Sequence, residues 1–432
     1  YPSLLDPKKL NDKKEQINYH NIPAELAWEM NLPLPDNYEF VMILKGCSGH
    51  AAFAYFLLWS GYVQNMFKSS HVALKNPNTY YINKYQEINY LQNNKNILII
   101  EHGLEKHHDS LKLFNLILLN KDVYILTRDP LSRLKSWANH IIDDYISPDT
   151  EFDIGFDFSQ GVKWIKYAFG GEKVDLNYFI YSGPITNEAM SIDSFVSNLN
   201  YNKVFYIDFN EIYPKGILDL FTYFKNKYNF PVIQNTDFFQ YNLGGSVGYL
   251  FAHSRILKIS ENHNNYKFKI FFCSSLRLFF IKNKNIDITY SLFPIHNDMQ
   301  NEFIDVSKYF CDKEIPKDFF MMMSQAEFEK LYQNFDLLNQ VKNYIKDLLE
   351  NIYNQINLED EKKINENDIL LFFENNDFYR KELKAILDYE LQNIKQHRPD
   401  IVASWKYYQE FEKMCEELDG KEDSLKENVS NN

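Results

Sequence analysis

The sequence predicts an α/β fold in which a central parallel sheet is flanked by helices and followed by a helical C-terminal region. Three observations carry this. Short, continuously apolar runs recur at Phe40–Leu44, Ile97–Ile100, Val123–Thr127 and Val204–Asp208. Continuous rather than alternating apolarity suits strands covered on both faces, as parallel strands are. Each run precedes a stretch that reads as a helix, and strands alternating with helices wind a parallel sheet through right-handed crossovers. From about residue 300 the pattern is helical throughout.

Residues 1–37 form a polar lead-in, broken by Pro23, Pro33 and Pro35, with one short helix over Pro23–Glu29. The first strand ends at Gly46, and the apolar stretch Ala51–Val63 that follows reads as a buried helix within about 50–67. The second strand ends at Glu101-His102-Gly103, before a helix over about 108–119. The third ends at Arg128-Asp129-Pro130 before a helix over about 131–144, and the fourth precedes one over about 215–228. Together these define an α/β core over residues 38–260. Residues 261–300 read as an insertion, with a hairpin turning at Lys282–Asn285. Residues 301–432 are expected to pack helically on the core, and Leu383, Ile386, Leu387, Leu391 and Ile394 fall at helical spacing before Pro399.

Composition narrows the function. With 46 basic and 59 acidic residues the formal charge is −13, which argues against a nucleic-acid-backbone binder, since that polymer demands a basic face. A small basic pocket for a phosphorylated ligand remains compatible. The four cysteines, Cys47, Cys273, Cys311 and Cys415, show no metal-type spacing, so neither a metal site nor a disulfide framework is expected and a reducing compartment fits. No apolar run reaches the roughly 18 residues that a membrane helix requires. The surplus of Asn, Lys, Tyr, Phe and Ile over Gly, Ala and Pro reads as the imprint of an AT-rich, bacterial genome.

Two motifs point to chemistry. The first is the turn Lys45-Gly46-Cys47-Ser48-Gly49-His50-Ala51 between strand and helix. Such a glycine turn lets backbone N–H groups surround a phosphate at a helix N-terminus. The ATP-binding form needs Gly-Lys-Ser/Thr, whereas Gly49-His50-Ala51 lacks both the lysine and the magnesium-binding hydroxyl. That argues against an ordinary ATPase or GTPase. Lys45, before the turn, is placed to reach a leaving phosphate without a metal. The plainer reading is an ordinary glycine turn. The second motif is Arg128-Asp129-Pro130-Leu131-Ser132-Arg133-Leu134-Lys135-Ser136. Asp129 suits an N-cap and Pro130 the first helical position. Arg128 then projects from the strand end and Ser136 lies two turns into the helix, a fork and a hydroxyl suited to one terminal phosphate. The plainer reading is a good helix start with Arg133 and Lys135 in solvent.

As a pair, the motifs resemble the phosphate-binding motifs of sulfotransferases that use 3′-phosphoadenosine 5′-phosphosulfate. In that family a Lys/Arg-Ser-Gly-Thr-type turn holds the 5′-phosphosulfate, and an Arg-(Asp/Asn)-Pro segment with a serine on its helix holds the 3′-phosphate. Arg128 and Ser136 match the second motif. Val204–Phe209 resembles the family's later Tyr-Glu-Asp-Leu strand, with Ile207 in place of the acid. The resemblance spans roughly residues 38–230. It departs in the first motif: aligning Ser48-Gly49 with the family's Ser-Gly puts Cys47 where Lys or Arg is expected, and His50 and Ala51 where hydroxyl residues are usual. Aligning Lys45 with the family lysine shifts the turn by two residues.

The resemblance implies a P-loop NTPase-like core and a sulfuryl transfer from the nucleotide donor to an acceptor hydroxyl, without a metal, leaving adenosine 3′,5′-bisphosphate. Lys45, Gly46, Cys47, Ser48, Gly49, His50 and Ala51 would cradle the 5′ side, with Lys45 as the catalytic cation, and Arg128 and Ser136 the 3′-phosphate. His102, at the end of the intervening strand, is the implied general base, with Glu101 its competitor, as in the glycan-modifying branches. A late loop, Asn242–Gly248, with His253 and Arg255 beside it, is the implied cover of the nucleotide. The implied acceptor is a surface carbohydrate or glycolipid precursor, met in the cytoplasm or at the inner face of the membrane. Two other readings stay open: a nucleotide-sugar glycosyltransferase, disfavoured because Glu151–Asp157 lies in a predicted loop rather than at a strand end, and a non-catalytic binding protein on the same fold.

Overall fold

The computed structural model describes residues 22–63, 76–90, 96–101, 108–118, 120–141, 150–156, 166–185, 190, 201–233, 236–240, 255–260, 266–274, 303–311 and 319–430. The chain runs α1 (Ala24–Glu29), β1 (Phe40–Leu44), α2 (His50–Trp59), α3 (Pro77–Tyr90), β2 (Ile97–Glu101), α4 (Ser110–Leu118), β3 (Asp122–Thr127) and α5 (Pro130–Ala138). It continues with β4 (Thr150–Asp153), α6 (Leu176–Tyr181), β5 (Val204–Asp208), a 3-10 turn (Phe209–Ile212) and α7 (Pro214–Tyr228). Next come β6 (Arg255–Ser260), β7 (Tyr266–Ser274), β8 (Phe303–Asp305), α8 (Ser307–Phe310), β9 (Phe319–Ser324), α9 (Gln325–Gln333) and α10 (Phe335–Glu361). The last five helices are α11 (Glu366–Asn375), α12 (Asp377–Glu390), α13 (Gln392–His397), α14 (Pro399–Ser404) and α15 (Lys406–Ser430).

The four predicted strands form one parallel sheet in the order β2-β1-β3-β5. All five residues of β1 are buried, which is why its sequence is apolar without alternation. Phe40, Met42 and Leu44 enter one core with α2 and α7, while Val41 and Ile43 enter another with α3, α4 and α5. Leu383, Leu387, Leu391, Ile394, Trp405 and Phe411 belong to that second core, so the C-terminal helices complete the cover of one sheet face. Helix α3 is missing from the sequence reading because tyrosines, not aliphatic residues, make its buried stripe: Tyr80, Tyr81 and Tyr85, with Ile88. Their hydroxyls are satisfied, Tyr80 by the Ile99 carbonyl and Tyr81 by the Leu32 carbonyl.

A second sheet corrects the expectation for the later chain. Its order is β4-β6-β7-β9-β8, with β4 parallel to β6 and the other pairs antiparallel. Thr150–Asp153 is thus a strand where a loop is predicted, and two strands interrupt the expected helical region. Such short runs are settled by pairing partners far along the chain, which local periodicity does not register. Antiparallel pairing begins at Arg255–Ser260 with Tyr266–Ser274, earlier than the predicted hairpin turn, and Lys282–Asn285 lies outside the described residues. No helix among the described residues is long and apolar enough to cross a membrane.

Candidate anion-binding site

In register, Leu44 lies beside Glu101 and Leu126, and Thr127 beside Asp208, so the strand C-termini line one edge. The chain leaves β1 to β2 on one side and places β3 on the other. The gap between β1 and β3 is therefore the topological switch point, where open α/β sheets bind ligands. Both sequence motifs sit there.

The first motif forms a tight turn from Lys45 to Gly49. Cys47 (φ 62°) and Gly49 (φ 85°) are left-handed, whereas Gly46 and Ser48 are not. The Ser48 N–H closes the turn by donating to the Lys45 carbonyl at 3.3 Å. Gly49 is the N-cap of α2 and offers no side-chain cap to its first N–H groups. A side chain has no room at Gly49: a Cβ would lie 2.6 Å from the Phe209 ring. Cys47 has no glycine's freedom, so its conformation costs on the order of 1 kcal/mol.

The second motif props this turn from behind. Arg128 Nη1 donates to the Cys47 carbonyl at 3.1 Å, and Arg133 Nε to the Gly46 carbonyl at 3.4 Å. Ser136 hydrogen-bonds the Cys47 thiol. With the carbonyls of Gly46 and Cys47 turned to the arginines, two cations stand at the base of the turn. The Arg128 guanidinium also lies 4.2 Å from the centre of the Phe209 ring. Burial pushes the Cys47 thiol up, against the pull of Arg133, Arg128 and Ser136, so it stays protonated at neutral pH and is no thiolate nucleophile.

Ser48 is fully buried and its Oγ has no hydrogen-bond partner among the described residues. A buried hydroxyl without a partner costs about 1–3 kcal/mol. Lys45 is buried, at 2% exposure, while His50 and Ser136 are partly exposed.

The structure joins Gly46, Cys47, Ser48, Gly49, Arg128 and Ser136 in one site, with Lys45 and His50 at the two ends of the turn. It departs from the plainer reading of the second motif at one residue. Arg133 is buried rather than solvated, because its helix presents it to the Gly46 carbonyl. Glu101 closes β2 beside Leu44, so its backbone reaches the same edge, and His102 lies outside the described residues. The Asn242–Gly248 loop and His253 also lie outside them, and Arg255 opens β6 of the second sheet. Glu151 is held in β4 by an ion pair with Lys258, not at a strand end of the first sheet.

Sequence reasoning missed Phe209 and Glu366. Phe209 links Gly49 to Arg128. Glu366, 234 residues from Ser132, accepts its hydroxyl at 2.9 Å and pairs with Lys135 at 3.1 Å. Burial alone would push the Glu366 carboxyl up, but Lys135 and Ser132 hold it below its ordinary range. Among the described residues no group of His, Cys, Asp and Glu is arranged to hold a metal ion.

A family model described as a protein of unknown function (DUF2972) matches residues 206–418. The match begins inside β5 and takes in β6 to β9 of the second sheet and the C-terminal helices as far as the first half of α15. It excludes the Lys45–Gly49 turn and Arg128. Comparison with curated proteins and with solved structures returns no match.

Proposed function

We propose that the protein binds a 3′-phosphorylated nucleotide at the β1–β3 switch point and transfers its sulfuryl group to a carbohydrate hydroxyl. One observation carries the reading: Arg128, Arg133 and Ser136, each more than 80 residues along the chain from its partner, converge on Gly46 and Cys47. The N–H groups of the Gly46–Ala51 turn other than that of Ser48, which the Lys45 carbonyl holds, would take the 5′-phosphosulfate, and Arg128 with Ser136 the 3′-phosphate of 3′-phosphoadenosine 5′-phosphosulfate. A base at the end of β2, His102 or Glu101, would accept the acceptor proton as its oxygen attacks sulfur. The bond between sulfur and the donor's 5′-phosphate oxygen breaks, leaving a sulfate ester and adenosine 3′,5′-bisphosphate. Positioning and fixed dipoles do the work, and no covalent intermediate is needed. The acceptor class, a surface carbohydrate or glycolipid precursor, would place the reaction in the cytoplasm or at the inner face of the membrane.

A specific observation favours a second reading, a nucleotide-binding protein that does not transfer sulfate. Cys47 stands where the family's turn carries a cation, and Lys45 is buried. Calorimetric titration with adenosine 3′,5′-bisphosphate tests the shared premise. Binding that Arg128→Ala weakens about 100-fold supports it, and no binding at millimolar ligand sinks both readings. Radiolabelled sulfate transfer to a panel of glycans then separates them: turnover lost in His102→Ala or Glu101→Gln supports the enzyme, and binding without turnover supports the alternative.

A further inference from the structure

Two carboxylates stand at the strand ends that flank the site, and both divide their oxygens in the same way. Asp129 Oδ1 caps α5, accepting from the N–H groups of Leu131 at 2.9 Å and Ser132 at 3.4 Å. Its Oδ2 accepts from the N–H groups of Tyr407 at 2.9 Å and Tyr408 at 3.2 Å, at the start of α15. Asp208 Oδ2 caps the 3-10 turn through Asn210 N–H at 3.0 Å, while its Oδ1 accepts from Trp405 Nε1 at 2.8 Å. One short segment, Trp405–Tyr408, thus holds both aspartates. Arg398, just upstream, adds a bond to the Tyr206 carbonyl at 2.9 Å and an ion pair with Glu211 at 3.1 Å.

The residues next to these aspartates are the ones that matter for the ligand. Asp129 follows Arg128, and Asp208 precedes Phe209, on which Arg128 stacks. Fixing the two carboxylates fixes the backbones from which the stacked pair springs. Asp129 and Asp208 are both buried, and Asp129 faces the positive ends of two helices, so its bonds are charge-assisted.

We propose that Trp405–Tyr408 is a clasp that sets the Arg128–Phe209 pair through Asp129 and Asp208, making the C-terminal helices part of the 3′-phosphate site. Asp129, Asp208 and Trp405 act as positioning residues; none need touch the ligand. The inference rests on the proposed nucleotide reading for its ligand, and on the hydrogen bonds alone for its mechanics.

Two mild variants test it. Asp129→Asn keeps an equally good cap for α5 but turns an amide donor toward the Tyr407 and Tyr408 donors. Trp405→Phe removes the indole N–H and keeps an aromatic ring in the core. Hydrogen exchange of peptides spanning residues 405–408 is read first, without ligand, and Asp129→Asn is expected to raise it at least 10-fold. Unchanged exchange overturns the clasp whatever the protein binds. Affinities for adenosine 3′,5′-bisphosphate and adenosine 5′-monophosphate are read second. Each variant is expected to weaken the bisphosphate about 10-fold and leave the monophosphate unchanged. Equal weakening of both ligands indicates general loosening and overturns the positioning role, as does no change in either. A wild-type protein that fails to prefer the bisphosphate overturns the 3′-phosphate reading itself, with the exchange result still standing on its own.

Discussion

Strand β3 carries a cation on an aromatic ring at each end, and the two ends are finished in opposite ways. At its start, Lys227 pairs with Asp122 at 2.9 Å, donates to the Tyr124 hydroxyl at 2.9 Å and lies 3.8 Å from the centre of the Phe205 ring. Asp122 also accepts from Tyr228 at 2.8 Å and Asn202 at 2.7 Å. The charge, the hydroxyls and the ring faces there answer one another. At the other end, Arg128 lies on Phe209 but makes no ion pair among the described residues; its bond goes to a neutral carbonyl. The nearby carboxylate of Glu366 is already committed to Lys135 and Ser132. A closed network of this kind holds a fold together, whereas a cation with no ion pair, at a glycine turn leading into a helix N-terminus, suits an anionic ligand.

The largest effects should exchange between the two ends. Arg128→Ala is expected to weaken adenosine 3′,5′-bisphosphate about 100-fold, equivalent to roughly 2.7 kcal/mol, with a shift in urea midpoint worth less than about 1 kcal/mol. Lys227→Met leaves Asp122 without its counter-ion and is expected to cost about 2 kcal/mol of stability, with unchanged nucleotide affinity. Calorimetry and urea unfolding on both variants would break the comparison if Lys227→Met alone reduced binding or Arg128→Ala alone reduced stability.

Gly49→Ala should come next. It places a Cβ 2.6 Å from the Phe209 ring and forces a left-handed residue, so about 2 kcal/mol of stability should go with most of the nucleotide affinity. Gly61, also left-handed (φ 73°) but with nothing within 4 Å of such a Cβ, is the control. Gly61→Ala is expected to cost about 1 kcal/mol in urea unfolding and to leave binding intact. Equal effects on binding would show that the Phe209 contact does not shape the turn.

What could be read from the sequence follows from how far each signal reaches. The four strands of the first sheet were legible because burial on both faces writes an unbroken apolar run. The meeting of the Lys45–Gly49 turn with Arg128 and Ser136 was legible because both motifs end adjacent parallel strands. The burial of Arg133 was not legible, because a charged residue on a short helix ordinarily faces water and only the turn's carbonyl makes its burial tolerable. Phe209 was legible only as the end of the Val204–Phe209 stretch, and its place beside Gly49 is set by tertiary packing. The Trp405–Tyr408 contacts lie about 200 to 280 residues from their partners, and nothing local announces them. Second-sheet strands such as Phe319–Ser324, rich in Phe and Met, suit helix and strand equally until a partner decides.

The smallest expected effect is the most discriminating, since it concerns the sign of a slope. Burial pushes the Asp122 carboxyl up, but hydrogen bonds from Lys227, Tyr228 and Asn202 overcome it and leave it below its ordinary value. Its folded pKa therefore lies below the unfolded one. Stability from Asp122 is present above about pH 3.9 and is lost as pH falls through the folded pKa. For Asp129 burial outweighs the four N–H groups and raises the carboxyl. There the native state takes up the proton first, so stability is gained as pH falls through the raised folded pKa and declines as pH rises from about 3.9 toward and through it. The penalty of Asp122→Asn relative to wild type should accordingly grow as pH rises through the acid range. The penalty of Asp129→Asn should shrink as pH rises through its higher window. Neither slope should exceed about 1.4 kcal/mol per pH unit, one proton's worth. Urea unfolding of the three proteins from about pH 3 to pH 7 reads both slopes, and slopes of the same sign would mean that the carboxylates at the two ends of β3 are not held in the opposed ways described.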